Sequence, residues 1–318
     1  MMNRSRRQFL GTLGATAAGL AAGSLLPKMS RAFDAGSASA DSVRVGMCDW
    51  NLGPAADPDL IPKAAQANLN GLQVSVGTAP DRLPLRKQSV RERYRKLGEK
   101  HDLEYPSTAA GSILNEIPLK SEPQAAVFVV EAIEAAAALG ASNVLLAFFG
   151  NGDLRWRDAN GELENVSDGP YPEYRLDEEG VQRVVEALRQ LAPRAEEAGV
   201  TLGLENTLTA EQNLELLSEV GSPAVSVYYD PGNSAAYGYD VPGEIRRLGN
   251  DQICEIHLKD RASAVLGATG GDVDFEAVAD ACADISYDGW YVLETSGREG
   301  RFMKDTRANV AFAQQTFA

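Results

Sequence analysis

The chain has 318 residues, 44% hydrophobic and 7% aromatic, with 30 basic against 45 acidic side chains. That length suits one large domain or two average ones, and the apolar content is enough for a sizeable core. A net charge of −15 repels phosphate backbones, which argues against nucleic acid as a partner.

The first 40 residues differ from the rest. Ser5-Arg6-Arg7-Gln8-Phe9-Leu10 is a twin-arginine export motif. An uncharged stretch rich in Ala, Gly and Leu follows from residue 11 to 26, and Ala38-Ser39-Ala40 offers a small-residue cleavage site. Residues 1–40 therefore read as a signal peptide for the Tat export machinery, which carries folded proteins. Residues 41–318 read as the mature domain, periplasmic or extracellular. The segment holds Arg4, Arg6, Arg7, Lys28 and Arg31 against Asp34, so the mature part has 25 basic and 44 acidic residues, a net −19. No apolar run of about 20 residues occurs after residue 40, so no membrane contact is expected beyond the signal segment.

A phrase then recurs. A helical pattern stops at Gly or Asn, and a short β-rich apolar run follows. The runs are 43–48, 72–76, 103–107, 144–148, 201–205, 225–230, 253–259 and 290–294. Helical stops stand at Leu139-Gly140, Ala198-Gly199, Val220-Gly221 and Leu248-Gly249. Between residues 177 and 198, Val181, Val184, Val185, Leu188, Leu191, Ala192 and Ala195 form one helical stripe, with Asp177 as N-cap. An Ala-rich helix is expected over 122–139. Nearly continuous apolar strands mark a parallel sheet covered by helices. Eight of them, with no Gly-rich phosphate loop after the first, predict a single-domain α/β fold, the (β/α)8 TIM barrel. The polar insertion 150–175 carries Trp156, Tyr171 and Tyr174 and projects from the C-terminal face. It reads as a lid or substrate wall, or else as a surface excursion or a contact in a homo-oligomer. Cys48, Cys254 and Cys282 are widely spaced and read as small buried side chains.

The last four strands end in Gly203-Leu204-Glu205-Asn206, Tyr229-Asp230-Pro231-Gly232-Asn233, Ile256-His257-Leu258-Lys259-Asp260 and Leu293-Glu294. A charge closing an apolar run is costly unless it is solvated, paired or metal-bound. Three converging carboxylates would raise one another's pKa, and a divalent cation removes that conflict. Oxygen donors with one imidazole suit Mn²⁺, Mg²⁺ or Co²⁺. His257 is the informative one of two histidines; His101 stands at a polar helix end.

These phrases, with Gly271-Asp272-Val273-Asp274-Phe275 and Tyr287-Asp288-Gly289-Trp290, resemble the xylose isomerase-like sugar-phosphate isomerase/epimerase family. The resemblance covers residues 42–318. It implies that Glu205, Asp230, His257 and Glu294 ligate the metal, and that Glu205 and Glu294 double as the acid/base pair for proton abstraction beside a carbonyl through an enediolate. Several epimerases of that family carry a histidine shortly after the sixth-strand Asp. Asn233 stands in that neighbourhood here. It can hydrogen-bond a sugar hydroxyl but cannot shuttle a proton. Asn206, Asn233, Lys259, Arg261 and Trp156 are the candidate contacts to a small carbohydrate substrate. The expected activity is a metal-dependent isomerase or epimerase on a free or glycosidic keto sugar. The alternatives are a lyase eliminating β to a 3-keto group and a non-catalytic carbohydrate-binding barrel. A nuclease resembling endonuclease IV would need many more than two histidines.

Overall fold

Parallel strands need a crossover between each pair, and the glycine-terminated helices supply it. The protein was analysed as a computed structural model that describes residues 43–318; the expected signal segment lies outside the described residues. Its strands are β1 (Val45–Cys48), β2 (Gly71–Ser75), β3 (Ser107–Ala109), β4 (Asn143–Ala147), β5 (Thr201–Glu205), β6 (Val225–Tyr229), β7 (Ile253–Leu258) and β8 (Tyr291–Leu293). Each pairs in parallel with the next, and β8 pairs back onto β1, with Met47 beside Leu293. The result is a closed eight-stranded barrel in one domain. Every strand therefore delivers its C-terminal residue to the same mouth.

The helix stops are as the sequence predicts. Gly140, Gly199 and Gly221 adopt left-handed φ of 77°, 70° and 70° after Ala125–Leu139, Glu178–Ala198 and Ala210–Val220. The Asp177 side chain accepts the Gly180 N–H at 3.1 Å as an N-cap. The seven stripe residues of Glu178–Ala198 are all buried. The Ala-rich helix starts three residues later than expected, at Ala125, because Pro123 lies just upstream.

The third strand departs from expectation. The apolar run at 103–107 begins to pair, with Glu104 bridged to Gly71, but Pro106 has no N–H to give. Regular pairing resumes only at Ser107–Ala109, a polar segment that apolarity alone would not select.

Side chains of the strands divide by period two into separate buried sets. Leu72, Val74, Val144, Leu146, Leu202 and Leu204 join the helices in the main core. On the other side, Ala109, Leu145, Ala147 and Tyr228 form a small cluster inside the barrel. That interior also holds the buried polar side chains Gln73, Ser107, Glu255 and His257. Ser107 Oγ and Tyr228 OH donate to Glu255 Oε1 at 2.8 and 2.6 Å, and Asn143 Nδ2 donates to Oε2 at 2.9 Å. Burial pushes the Glu255 carboxyl up despite these bonds. A register shift between Val227 and Tyr228 leaves Cys254 without a ladder partner. All three cysteines are free. Among the described residues no helix is long and apolar enough to cross a membrane.

Gly203 of β5 lies against side chains of β6 and β7. A Cβ there would meet Cys254 Sγ at 2.7 Å and Tyr228 Cβ at 3.2 Å. Gly203→Ala is expected to destabilise the fold by about 1–3 kcal/mol through overpacking. Adding Cys254→Ala removes the nearer contact, so the double variant should unfold at higher denaturant than Gly203→Ala alone. Simple additivity in the denaturation midpoints would show that the contact is not the cause.

Candidate metal centre and active site

Four consecutive strand ends bring four chemistry-bearing side chains together. Glu205 ends β5, Asp230 directly follows β6, His257 is the penultimate residue of β7, and Glu294 directly follows β8. One ligand atom from each lies within 4.8 Å of all the others. Glu205, Asp230 and His257 are buried, and Glu294 is partly open to the mouth.

The local turns hold these groups still. Asp230 caps the helix Pro231–Ala236 by accepting the Asn233 N–H at 3.0 Å. Gly232 lets that turn lie against β7: a Cβ there would sit 2.5 Å from the Lys259 carbonyl oxygen. His257 Nδ1 lies 3.0 Å from Glu205 Oε1 and 3.7 Å from Glu294 Oε2. Its Nε2 lies 3.0 Å from Gln73 Oε1. The Gln73 amide group in turn donates to Ser107 Oγ and Tyr228 OH, each at 2.8 Å. The Gln73 oxygen, which also accepts the Cys48 thiol at 3.2 Å, thus faces the ring, and it favours the tautomer with the proton on Nε2. In the neutral ring, Nδ1 then presents its lone pair to the carboxylate cluster, as a metal ligand requires.

The charges do not balance among the side chains alone. Three carboxylates face one ammonium: Lys259 Nζ lies 2.8 Å from Asp230 Oδ2 and 2.5 Å from Glu294 Oε2. Burial opposes the charge on Lys259, but Asp230, Glu294 and Glu205 raise its pKa strongly, so it remains a fixed cation. Burial pushes the Asp230 carboxyl up, Lys259 draws it down, and the Glu205 charge raises it again. Burial also opposes the imidazolium of His257, yet Glu205, Glu294 and Asp230 together raise its pKa. The carboxylates' contributions to these three shifts are what surplus negative charge does in a buried site. A divalent cation answers the surplus, and three oxygens with one imidazole nitrogen are a fitting donor set.

The remaining sequence candidates separate. Asn233 is buried in the site, donating to Asp230 Oδ2 at 2.9 Å and Glu205 Oε1 at 3.4 Å. Lys259 binds acidic neighbours, as described. Arg261 is exposed and lines a cavity of about 320 Å³ beside Asn233 and Lys259. Asn206 is committed to its own turn, donating to Asn213 Oδ1 at 2.8 Å and accepting the Leu208 N–H at 2.9 Å. Trp156 stacks against Arg175, whose guanidinium carbon is 4.6 Å from a Trp156 ring centroid, and it lines neither cavity at the cluster. Of the insertion, Gly150, Asp153, Arg155 and Arg157 reach the 320 Å³ cavity.

Two site residues escaped the sequence reading. Trp50 follows β1 by two residues, and its Nε1 donates to Glu294 Oε1 at 3.4 Å. Asp49 anchors it, accepting Ser75 Oγ at 2.7 Å and two backbone N–H groups. Burial lifts the Asp49 carboxyl to about 6 against those bonds. Trp50 is uncharged, so the strand-end charge rule that exposed Glu205 and Glu294 passes over it. Trp50 lines a second cavity of about 190 Å³ that reaches Glu205 and Glu294. Gln73 carries no such mark either, because its importance lies in what it touches across the barrel.

Fold and site together define a β/α-barrel enzyme of the isomerase/epimerase class. The chain belongs to the xylose isomerase-like TIM barrel family, whose model matches residues 61–315. It is 29% identical over 240 residues to 2-epi-5-epi-valiolone 7-phosphate 2-epimerase of Actinoplanes sp., covering 72% of this chain and 79% of that one. It is 29% identical over 126 residues to D-psicose 3-epimerase of Enterocloster bolteae, covering 37% and 41%. Among solved structures, the 3-keto-D-glucoside 4-epimerase of E. coli superposes with a TM-score of 0.68 at 14% identity, over 86% of this chain and 99% of that one. D-Psicose 3-epimerase of Clostridium cellulolyticum does so with 0.68 at 16%, over the same shares of 86% and 99%. At such identities the structural likeness speaks to the fold.

Gln73 is testable without any substrate. Gln73→Leu removes the acceptor for His257 Nε2–H and should weaken Mn²⁺ binding by about 10–100-fold in calorimetric titration. Unchanged affinity in a folded Gln73→Leu protein would show that the ring needs no such support.

Proposed function

We propose that the chain is a divalent-metal-dependent sugar isomerase or epimerase that moves a proton on a carbon beside a carbonyl of a keto sugar. The observation that carries this reading is the convergence of Glu205, Asp230, His257 and Glu294 within 4.8 Å at the barrel mouth. Two of those acids also border an open cavity where a substrate can lie.

A Mn²⁺, Mg²⁺ or Co²⁺ ion held by these four residues would polarise the carbonyl and the adjacent hydroxyl oxygen. The chain's own groups do the rest. Glu205 and Glu294 both line the 190 Å³ cavity and approach His257 Nδ1. One takes the proton from the carbon, and the other returns it. Asn233 takes no proton; its amide orients Asp230 and Glu205. Lys259 sets a permanent positive charge beside Glu294 and Asp230, which steadies negative charge developing on a nearby substrate oxygen. Trp50 offers an aromatic wall on the Glu294 side.

The Arg6-Arg7 motif supports export by the Tat route, with the protein folding and loading its metal beforehand. Export favours a free or glycosidically linked keto sugar over a phosphorylated intermediate of cytoplasmic metabolism. The relative named as a 2-epimerase of a valiolone phosphate supports an epimerase reading.

The reaction class is read by NMR from exchange of substrate carbon-bound hydrogen with deuterated solvent. Metal-loaded enzyme with keto sugars should exchange the hydrogen beside the carbonyl and give an epimer or isomer. Glu205→Gln and Glu294→Gln should each slow that exchange by about 10²–10⁴-fold. Turnover by Glu205→Gln at the parent rate would contradict the acid/base assignment, and loss of water or of an aglycone would place the enzyme among lyases.

A further inference from the structure

The 320 Å³ cavity beside the cluster has a charge opposite to that of the chain. The protein carries −15 overall, yet this cavity is lined by Arg155, Arg157, Lys259 and Arg261 against one carboxylate, Asp153. Asp153 is already shared by two guanidiniums. It accepts Arg155 Nε at 3.0 Å and Nη2 at 2.9 Å, and Arg157 Nη2 at 2.9 Å. Arg261 makes no ion pair among the described residues. One guanidinium of the Asp153 pair and that of Arg261 are thus left unneutralised.

The wall is also built rather than incidental. Arg155 is 2% exposed. Its guanidinium carbon lies 4.0 Å from the Tyr237 ring centroid and 5.4 Å from that of Tyr174. Aromatic faces and Asp153 together fix its plane. Its remaining nitrogen, Nη1, is buried with no hydrogen-bond partner, and so is the hydroxyl of Thr207 on the same cavity. Buried polar groups left unsatisfied are rare, and each calls for a cause such as a bound water, ion or ligand. Neutral hydroxyls could satisfy Thr207, but they do not call for surplus arginines. Planar guanidinium forks match the paired oxygens of carboxylate and phosphate.

We infer that this cavity is an oxyanion subsite, and that the substrate is a keto sugar bearing a carboxylate, held by Arg155, Arg157, Arg261 and Thr207. The subsite adjoins the cluster through Asn233 and Lys259, which line the cavity and contact Asp230 directly. One sugar can therefore place its carbonyl at the cluster and its acidic group against the insertion. This inference rests on the proposed proton transfer only for the identity of the sugar; anion binding is measured independently of it.

Arg157 and Arg261 are the variants of choice, because Arg261 is exposed and the Arg157 side chain is 41% exposed, whereas removing Arg155 would strand the buried Asp153. Sulfate and acetate are titrated into the metal-loaded protein by NMR and calorimetry. The parent should bind one anion, and Arg157→Gln/Arg261→Gln should bind it about tenfold or more weakly. Thr207→Val should weaken it less, through one lost hydrogen bond. In the exchange assay, ketoses are compared with their terminal phosphates and terminal carboxylates. The ratio of kcat/KM for the acidic over the neutral sugar should favour the acidic one and fall about tenfold in the double variant. The terminal carboxylate should be the better substrate, in keeping with export, and a preference for the phosphate would overturn the choice of carboxylate. No binding of either anion to the parent, or binding unaltered in the double variant, would overturn the subsite. Anion binding with no turnover of any keto sugar would instead overturn the proposed reaction and leave the subsite standing. Turnover with no preference for acidic sugars would do the reverse.

Discussion

Three carboxylates and an imidazole are forced into a space of 4.8 Å with a single lysine to offset them. Such an arrangement is unfavourable in itself. Burial of Glu205, Asp230 and His257 removes most of the water that would otherwise screen it. It is held in place by the barrel: four adjacent parallel strands share one mouth, and their registers are fixed by ladder pairing from β5 to β8. The fold thereby stores an electrostatic conflict that a divalent cation would relieve. The proposed metal site and the proposed roles of Glu205 and Glu294 both start from that conflict.

The surrounding groups serve the geometry of the cluster. Gln73 offers an acceptor to the far nitrogen of His257, and Ser107, Tyr228 and Glu255 fix Gln73 in turn. The interior of the barrel is therefore polar where a purely structural barrel would be filled with branched apolar side chains. Its stability rests on the outer layer, where strand and helix side chains meet in the main core. Placing stability outside and chemistry inside lets Glu255 remain buried yet hydrogen-bonded by three neighbours.

Much of this was legible in the amino-acid sequence. The helix stops at Gly140, Gly199 and Gly221, and the seven-residue stripe of Glu178–Ala198, follow from local backbone and periodicity rules, which act within a few residues. Glu205, Asp230, His257 and Glu294 were visible because a charge closing an apolar strand is rare. β3 was misplaced because Pro106 divides an apolar lead-in from a polar strand. Gln73 and Arg155 were silent because each acts through partners far along the chain, Gln73 on His257 and Arg155 on Tyr237. Trp156 drew notice as an aromatic in a polar insertion, but Arg175 covers it, and its neighbours Arg155 and Arg157 face the cavity instead. Sequence shows residue type and position; which side of an irregular segment faces the site is decided by tertiary contact.

The central claim is that one divalent ion binds at the four strand-end side chains with His257 as its nitrogen ligand. Pulsed electron paramagnetic resonance of the Mn²⁺-loaded protein tests it most directly. The account predicts one Mn²⁺ per chain, coupled to a single directly coordinated imidazole nitrogen that disappears in His257→Gln. Bound Mn²⁺ without that nitrogen coupling, or with the coupling unchanged in His257→Gln, would contradict it.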